Sequence, residues 1–207
     1  MLGTISTDLL AKQNPAGEST LGDLIADAQV NDASVVTPGK TPVVAFMNPG
    51  GIRADLTVAK SGPETEDGIG RYGEEFAVQP FNNYLVSMDV TGADIWSLLQ
   101  QQWSGPNVGS GTKFLQISKG LHYTWNGAVG AQAVTGVTIN GTPVVNDGSA
   151  SYRIVTNNFL SDGGDNFAAF KNGTGKYIGG LDIDGFATYL PTVEPYTPLP
   201  LDRITQQ

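Results

Sequence analysis

The sequence predicts an α+β fold in which mixed β-sheets are flanked by helices. Three observations carry that prediction. Leu21, Leu24, Ile25 and Ala28 fall at i, i+3, i+4 and i+7, one face of a helix. Val43-Val44-Ala45-Phe46-Met47 is an unbroken apolar run of strand length. Between residues 114 and 145 the pattern is antiparallel β, and Asn140-Gly141 stands between two such runs as a strong hairpin signal.

Taken in order, residues 1–17 hold one short β-like run, Leu2-Gly3-Thr4-Ile5, and then a polar stretch ending in Asn14-Pro15-Ala16-Gly17. They read as a strand or linker followed by a loop. Ser19 or Thr20 can cap the next helix, whose apolar face is core packing. Residues 31–41 are mostly loop. The run ending at Met47 delivers Asn48-Pro49-Gly50-Gly51-Ile52-Arg53. Residues 54–70 are largely polar, with Glu64, Glu66 and Asp67, and read as a solvated loop.

Phe76-Ala77-Val78 reads as a return to strand. Tyr84-Leu85-Val86-Ser87-Met88-Asp89-Val90 is a strand by period and β-branching. Thr91-Gly92-Ala93-Asp94 resembles a capping box, and Ile95, Leu98 and Leu99 continue as a helix face ending near Trp103. Residues 104–112 are rich in Gly, Ser and Pro and are expected to be mobile. The β runs that follow are Phe114-Leu115-Gln116-Ile117, Leu121-His122-Tyr123-Thr124-Trp125 and Val134-Thr135-Gly136-Val137-Thr138-Ile139, then Pro143-Val144-Val145. Tyr152-Arg153-Ile154-Val155-Thr156 is the strand that feeds Asn157-Asn158-Phe159-Leu160-Ser161-Asp162-Gly163-Gly164-Asp165-Asn166-Phe167. A segment around Phe170, a turn at Asn172-Gly173, a helix over 184–190 and a Pro-rich tail complete the chain. No repeat and no internal boundary is visible.

The chain has 207 residues, enough for one large domain with an ample core. Hydrophobic content is 40% and charged content 15%, too apolar for disorder. A net charge of −9 argues against nucleic acid or an acidic membrane as partner, since both reward basic patches. A nucleotide stays within reach if a local arginine meets the phosphate. There is no cysteine, which excludes disulfides and thiolate metal sites. No segment has the length of a membrane span. The first residues show no charged stretch followed by an apolar one.

Catalytic chemistry is sparse. Metal-assisted phosphoester hydrolysis needs a cluster of His, Asp and Asn ligands, and the chain has one histidine, His122, inside a strand-like run. A Ser-His-Asp site would need the same histidine, and no Gly-x-Ser-x-Gly elbow presents a nucleophile. Gly68-Ile69-Gly70-Arg71-Tyr72-Gly73 fits Gly-x-Gly-x-x-Gly, but it follows an acidic loop and reads as chance. Asp162 and Asp165 read as solvated turn carboxylates. What the long motif does offer is a Gly-Gly turn for close backbone approach, an aromatic at a strand's carboxyl end, and an acceptor suited to sugar hydroxyls.

Four stretches together resemble the C-terminal, substrate-binding domain of the 5′-nucleotidase family. They are Gly17-Glu18-Ser19-Thr20-Leu21-Gly22-Asp23-Leu24-Ile25-Ala26-Asp27-Ala28, the Asn48–Arg53 turn with its strand, Phe76-Ala77-Val78-Gln79-Pro80-Phe81-Asn82-Asn83-Tyr84-Leu85, and the 157–167 motif. Their order and spacing match, and the resemblance covers nearly the whole chain. It implies a domain over 18–207 with the 5′-nucleotidase C-terminal fold, and residues 1–17 arriving from a separate N-terminal metallophosphatase domain of the same protein. No cofactor is implied in this chain; two divalent metal ions are implied in that other domain. A nucleotide or nucleoside is the implied ligand, with hydrolysis to nucleoside and phosphate in the full-length, exported protein at an extracellular, periplasmic or cell-surface location. The alternatives are a stand-alone nucleoside-binding surface module, or a domain of a 2′,3′-cyclic-nucleotide phosphodiesterase/3′-nucleotidase or nucleotide-sugar hydrolase.

Residue by residue, the resemblance gives Phe81 and Phe159 as the aromatics that sandwich the base, and Asn48 as a polar contact to base or nucleoside. Arg53 becomes the arginine near ribose and phosphate. Asp165 becomes the acceptor for ribose hydroxyls, and Gly50 and Gly51 allow close approach. Two departures stand out. Family members often carry a further arginine before the first helix, where this chain has Gln13-Asn14-Pro15-Ala16-Gly17 with Lys12 the nearest cation. Pro49 stands where other members often have Gly.

Overall fold

The structure is a computed structural model and describes residues 3–60, 67–108, 113–127 and 133–207. Glu64, Glu66 and residues 109–112 of the Gly/Ser/Pro-rich stretch lie outside the described residues, as do Met1 and Leu2. In chain order the elements are β1 (Gly3–Thr4), α1 (Thr20–Asn31), β2 (Val44–Met47), β3 (Ile69–Gly70), α2 (Tyr72–Val78), β4 (Tyr84–Thr91), α3 (Gly92–Gln100), β5 (Gln116–Ile117), β6 (Leu121–Trp125), β7 (Val134–Ile139), β8 (Thr142–Pro143), β9 (Ser151–Asn157), α4 (Asn158–Ser161), β10 (Thr174–Leu181), α5 (Asp182–Tyr189) and β11 (Ile204–Gln206). The α+β prediction of mixed sheets flanked by helices holds.

A five-stranded sheet runs β10-β4-β9-β2-β5. The pair β2–β9 is parallel, with Val44 opposite Ile154 and Phe46 opposite Thr156; the other pairs are antiparallel. Every residue of β2 is buried. Val44 and Phe46 face one core, shared with Ile95, Leu98 and Leu99 of α3 and with the second sheet. Ala45 and Met47 face the opposite side, toward α1 and α5. A strand covered on both faces has no polar side to show, which explains its unbroken apolar run. Burying each such side chain contributes about 1.5–3 kcal/mol.

The second sheet, β11-β6-β7-β8, packs on the α3 side. Its hairpin turns at Asn140 (φ 49°) and Gly141 (φ 76°), the two positive values that an Asn-Gly turn supplies cheaply. Trp103, Phe114 and Trp125 meet there with ring centroids 5.0–5.3 Å apart.

Caps follow the sequence. Ser19 Oγ accepts from Gly22 N and starts α1; Thr91 and Asp94 form the expected reciprocal box at α3. The run 114–117 supplies β5, antiparallel as expected, which pairs with β2 in the large sheet. Two elements differ from expectation. Phe76-Ala77-Val78 lies in α2, not in a strand: the Glu74 carboxylate accepts from Arg71 N at 3.1 Å at the start of that helix, and Phe76 is left exposed on it. Strand β10 was not legible, because an edge strand with three glycines and an exposed face shows no alternation.

The end of the chain is held by charge. Arg203 is buried and its two terminal nitrogens donate to both oxygens of Asp27 at 2.9 and 2.8 Å, a fork on a carboxylate. Glu18 accepts the backbone N–H groups of Arg203 and Ile204 at 3.2 and 3.0 Å. Asp23 stands 3.4 Å from Arg203 Nε, and burial pushes its carboxyl well above the usual range against the pull of that guanidinium. The network ties β11 to α1 across the whole sequence.

Glu75 on α2 is fully buried, and neither carboxylate oxygen finds a hydrogen-bond partner among the described residues. Burial pushes its carboxyl from 4.5 up to about 8, with the Glu74 charge adding to the rise. The folded chain therefore holds this proton more tightly than the unfolded chain. That stabilisation is complete below about 4.5 and is lost as pH rises toward 8. Glu75→Gln, which stays neutral, should match wild type near pH 4.5 and melt at a higher temperature by pH 8. Thermal melts across that range check it; a difference independent of pH would contradict the assignment.

Candidate functional site

Parallel strands β2 and β9 end side by side, at the kind of strand carboxyl edge where sheet proteins collect ligands. Each runs straight into a motif. After β2, Pro49–Gly51 forms a 3-10 turn; after β9, Asn157 caps the short helix α4 with its Oδ1 accepting from Leu160 N at 2.9 Å. Asn157 Nδ2 donates to Asn48 Oδ1 at 2.9 Å, so the two strand ends are bonded to each other through buried side chains.

The third motif arrives beside them. Leu85 on β4 pairs with Asn157, and Tyr84 N donates to Asn158 Oδ1 at 2.8 Å. That fixes the loop carrying Phe81 against the helix carrying Phe159. Asn48, Gly50, Gly51, Arg53, Phe81, Phe159 and Asp165 consequently line one cleft of about 450 Å³, with Asn83 as an eighth lining residue. All seven residues singled out in the sequence are brought together. Phe81 is 54% exposed and Phe159 43%, so both rings are open to the cleft rather than spent on the core.

The two glycines of the long motif have different jobs. Gly163 sits at φ 82°, where a side chain is strained. A Cβ on Gly164 would lie 2.6 Å from the Phe159 ring and from its carbonyl oxygen. Gly164 is thus the floor on which Phe159 rests. Asp165 (φ 54°) and Asn166 (φ 67°) follow in the left-handed region, which Asp and Asn tolerate better than other side chains.

The polar groups are already engaged. Asp165 Oδ2 accepts from Asn48 Nδ2 at 3.3 Å and Oδ1 from Lys113 Nζ at 2.9 Å. Asn107 donates to the Asp165 carbonyl at 3.0 Å. Arg53 donates to Gly50 O at 3.2 Å, and its guanidinium carbon lies 5.9 Å from the centroid of Phe81. Asn83 exchanges two bonds with Asp182 at the start of α5: its carbonyl accepts from Asp182 N, and its Nδ2 donates to Oδ2. Burial pushes the Asp182 carboxyl up to about 6 against those bonds.

Four contributors escaped sequence reasoning: Asn83, Asn107, Lys113 and Asn157. Asn83 and Asn157 lie inside the quoted motifs but look like turn residues. Asn107 lies inside, and Lys113 directly after, a stretch whose composition signals only a loop. His122 is remote from the cleft, on β6, with Nδ1 3.4 Å from the Asp202 carbonyl. The Gly68–Gly73 pattern leads into α2 and does not line the cleft. Among the described residues no group of three or more His, Cys, Asp or Glu is placed to hold a metal ion.

With this geometry in view, comparison with known proteins is decisive. Residues 1–172 match the family model described as 5′-nucleotidase, C-terminal domain. The chain belongs to that family. A cell wall protein of Listeria monocytogenes, Lmo0130, is 39% identical over 177 residues, covering 84% of this chain and 21% of that protein. The trifunctional nucleotide phosphoesterase protein YfkN of Bacillus subtilis is 33% identical over 84% of this chain and 11% of its own length. The crystal structure of a 5′-nucleotidase precursor from Thermus thermophilus superposes with a TM-score of 0.80 at 29% identity, over 99% of this chain and 39% of that one. The NAD nucleotidase of Haemophilus influenzae shares the fold, with a TM-score of 0.77 at 16% identity. The chain therefore spans well under half the length of these proteins. No helix among the described residues is long and apolar enough to cross a membrane.

Within this 5′-nucleotidase C-terminal domain, Asn157 both caps α4 and braces Asn48. Asn157→Ala should cost about 1–2 kcal/mol, the loss of a cap together with an unpaired buried amide. Urea denaturation reads that loss; a change below about 0.5 kcal/mol, the usual scatter of neutral substitutions, would show that the strand ends do not depend on it.

Proposed function

We propose that the chain is the substrate-binding part of an exported 5′-nucleotidase-like metallophosphoesterase, and that the cleft holds the nucleoside moiety of a nucleotide. The single observation that carries this is the convergence of two exposed aromatics, an arginine and a sugar-type acceptor on one cleft at the joined ends of β2 and β9. Phe81 and Phe159 would stack the base, worth about 1–3 kcal/mol per base. Asp165 would accept from the ribose hydroxyls. Arg53 would meet the phosphate with a planar fork. Gly50 leaves room for close approach, since a Cβ there would meet only Asn48 and Asp165 at 3.7 and 3.8 Å.

Asn48 keeps one N–H and one acceptor position on Oδ1 for a ligand, since Asp165 takes its other N–H and Asn157 donates once to Oδ1. Hydrolysis itself needs metal-held water and acid–base groups, and the donor set described here does not fit a two-metal centre. That chemistry would come from a separate domain of the same protein with two divalent ions. The Listeria relative supports a cell-surface setting.

Phe81→Ala and Phe159→Ala should each weaken adenosine binding by about 1–3 kcal/mol in calorimetric titration while leaving the melting temperature nearly unchanged, since both rings are exposed. Retained affinity in both variants would remove the stacking role. Purified chain given AMP with Mn²⁺, Zn²⁺ or Co²⁺ should release no phosphate. Turnover that co-purifies with the chain would place chemistry here after all.

A further inference from the structure

Lys113 and Asn107 lie outside the cleft lining, yet both hold Asp165. Asn107 is 2% exposed, and its Nδ2 donates to the carbonyls of Gln101 and Asp165, each at 3.0 Å. Its Oδ1 accepts from Asn166 Nδ2 at 3.0 Å. One buried amide therefore pins both residues of the left-handed pair Asp165–Asn166 to the end of α3. Left-handed backbone at non-glycine residues persists only where surroundings over-determine it. Lys113 then fixes the side chain: Nζ to Oδ1 is 2.9 Å, while Asn48 holds Oδ2.

A carboxylate offers about four acceptor positions, two on each oxygen. Lys113 takes one on Oδ1 and Asn48 one on Oδ2. One position is left on each oxygen, the number that a vicinal cis-diol fills with its two O–H donors. We propose that Lys113 is a positioning residue for sugar recognition, holding the Asp165 carboxylate in the orientation that accepts a ribose 2′,3′-diol. The proposal rests on the reading of Asp165 as the sugar acceptor.

The pair is partly exposed, with side-chain exposures of 32% and 21%, so its worth is that of a screened ion pair and the effect is modest. The test is calorimetric titration of the 207-residue chain with adenosine, 2′,3′-dideoxyadenosine and AMP. Dideoxyadenosine carries the base and ring but neither hydroxyl. Lys113→Met keeps the stem and removes the charge. It should lower adenosine affinity about three- to fivefold, leave dideoxyadenosine unchanged, and lower AMP by the same factor as adenosine. Lys113→Arg should restore most of the loss. Equal weakening of adenosine and dideoxyadenosine would overturn the proposal in favour of a merely structural role. A loss confined to AMP would overturn it in favour of a direct phosphate contact. If wild type prefers adenosine and Asp165→Ala abolishes that preference while Lys113→Met keeps it, Lys113 alone is misassigned. If wild type shows no preference between the two nucleosides, the sugar role of Asp165 falls and this inference falls with it.

Discussion

The parallel pairing of β2 with β9 is the constraint on which the cleft depends. Antiparallel neighbours would send one strand end to the opposite edge of the sheet. Parallel neighbours put both carboxyl ends together, so two segments more than a hundred residues apart emerge at one place. The register matters as much as the direction. With Phe46 opposite Thr156, the next residues along are Met47 and Asn157, and Asn48 falls within 2.9 Å of the Asn157 amide. A slip of one residue would turn Asn157 to the other face of the sheet and Phe46 out of its core. Because β2 is apolar on both faces, its own pattern does not forbid that slip; the buried Asn48–Asn157 bond does, since a slip would leave both amides unpaired.

A second constraint acts on the turn after α4. Gly163, Asp165 and Asn166 all adopt positive φ, and Gly164 must stay bare beneath the Phe159 ring. Such a turn does not hold itself. Asn107 from the 3-10 turn Gly105–Asn107 after α3, and Lys113 further along, supply the missing determinants from outside. The ordering of Asp165 is therefore a tertiary property. It is built by Asn107 and Lys113, neither of which lines the cleft.

This explains which features could be read from the sequence. The cleft residues could be, through four motifs whose order and spacing resemble the 5′-nucleotidase C-terminal domain; an aromatic ring, a bare backbone and a guanidinium each need a particular residue type, so they stand out as local patterns. The helix over 20–31 and the box at Thr91–Asp94 were legible for the same reason: period and capping are local. Phe76-Ala77-Val78 misled because a three-residue apolar run carries no period, and the deciding bond, from Arg71 N to the Glu74 carboxylate, lies upstream. Strand β10 was invisible because its edge position removes the burial that would impose alternation. Lys113 escaped because one lysine after a Gly/Ser/Pro-rich stretch has no signature until its partner, 52 residues away, is known.

The distribution of charge adds a final step. The chain carries −9 overall, which opposes an anionic ligand. At physiological ionic strength, charges beyond about 8 Å are largely screened, so groups at the cleft decide. There, Lys113 is neutralised by Asp165, and Arg53 makes no ion pair among the described residues. If Arg53 meets the phosphate and Asp165 the diol, as proposed, one cation without an ion pair would be a weak grip beside two aromatic faces and a held diol acceptor. On the proposed reading the domain would hold a nucleotide mainly by its nucleoside and leave the phosphate only lightly bound. That division suits a domain without a metal-binding cluster among its described residues: a phosphate gripped tightly here would have to be released before metal ions elsewhere could take it, whereas a lightly held one can be shared.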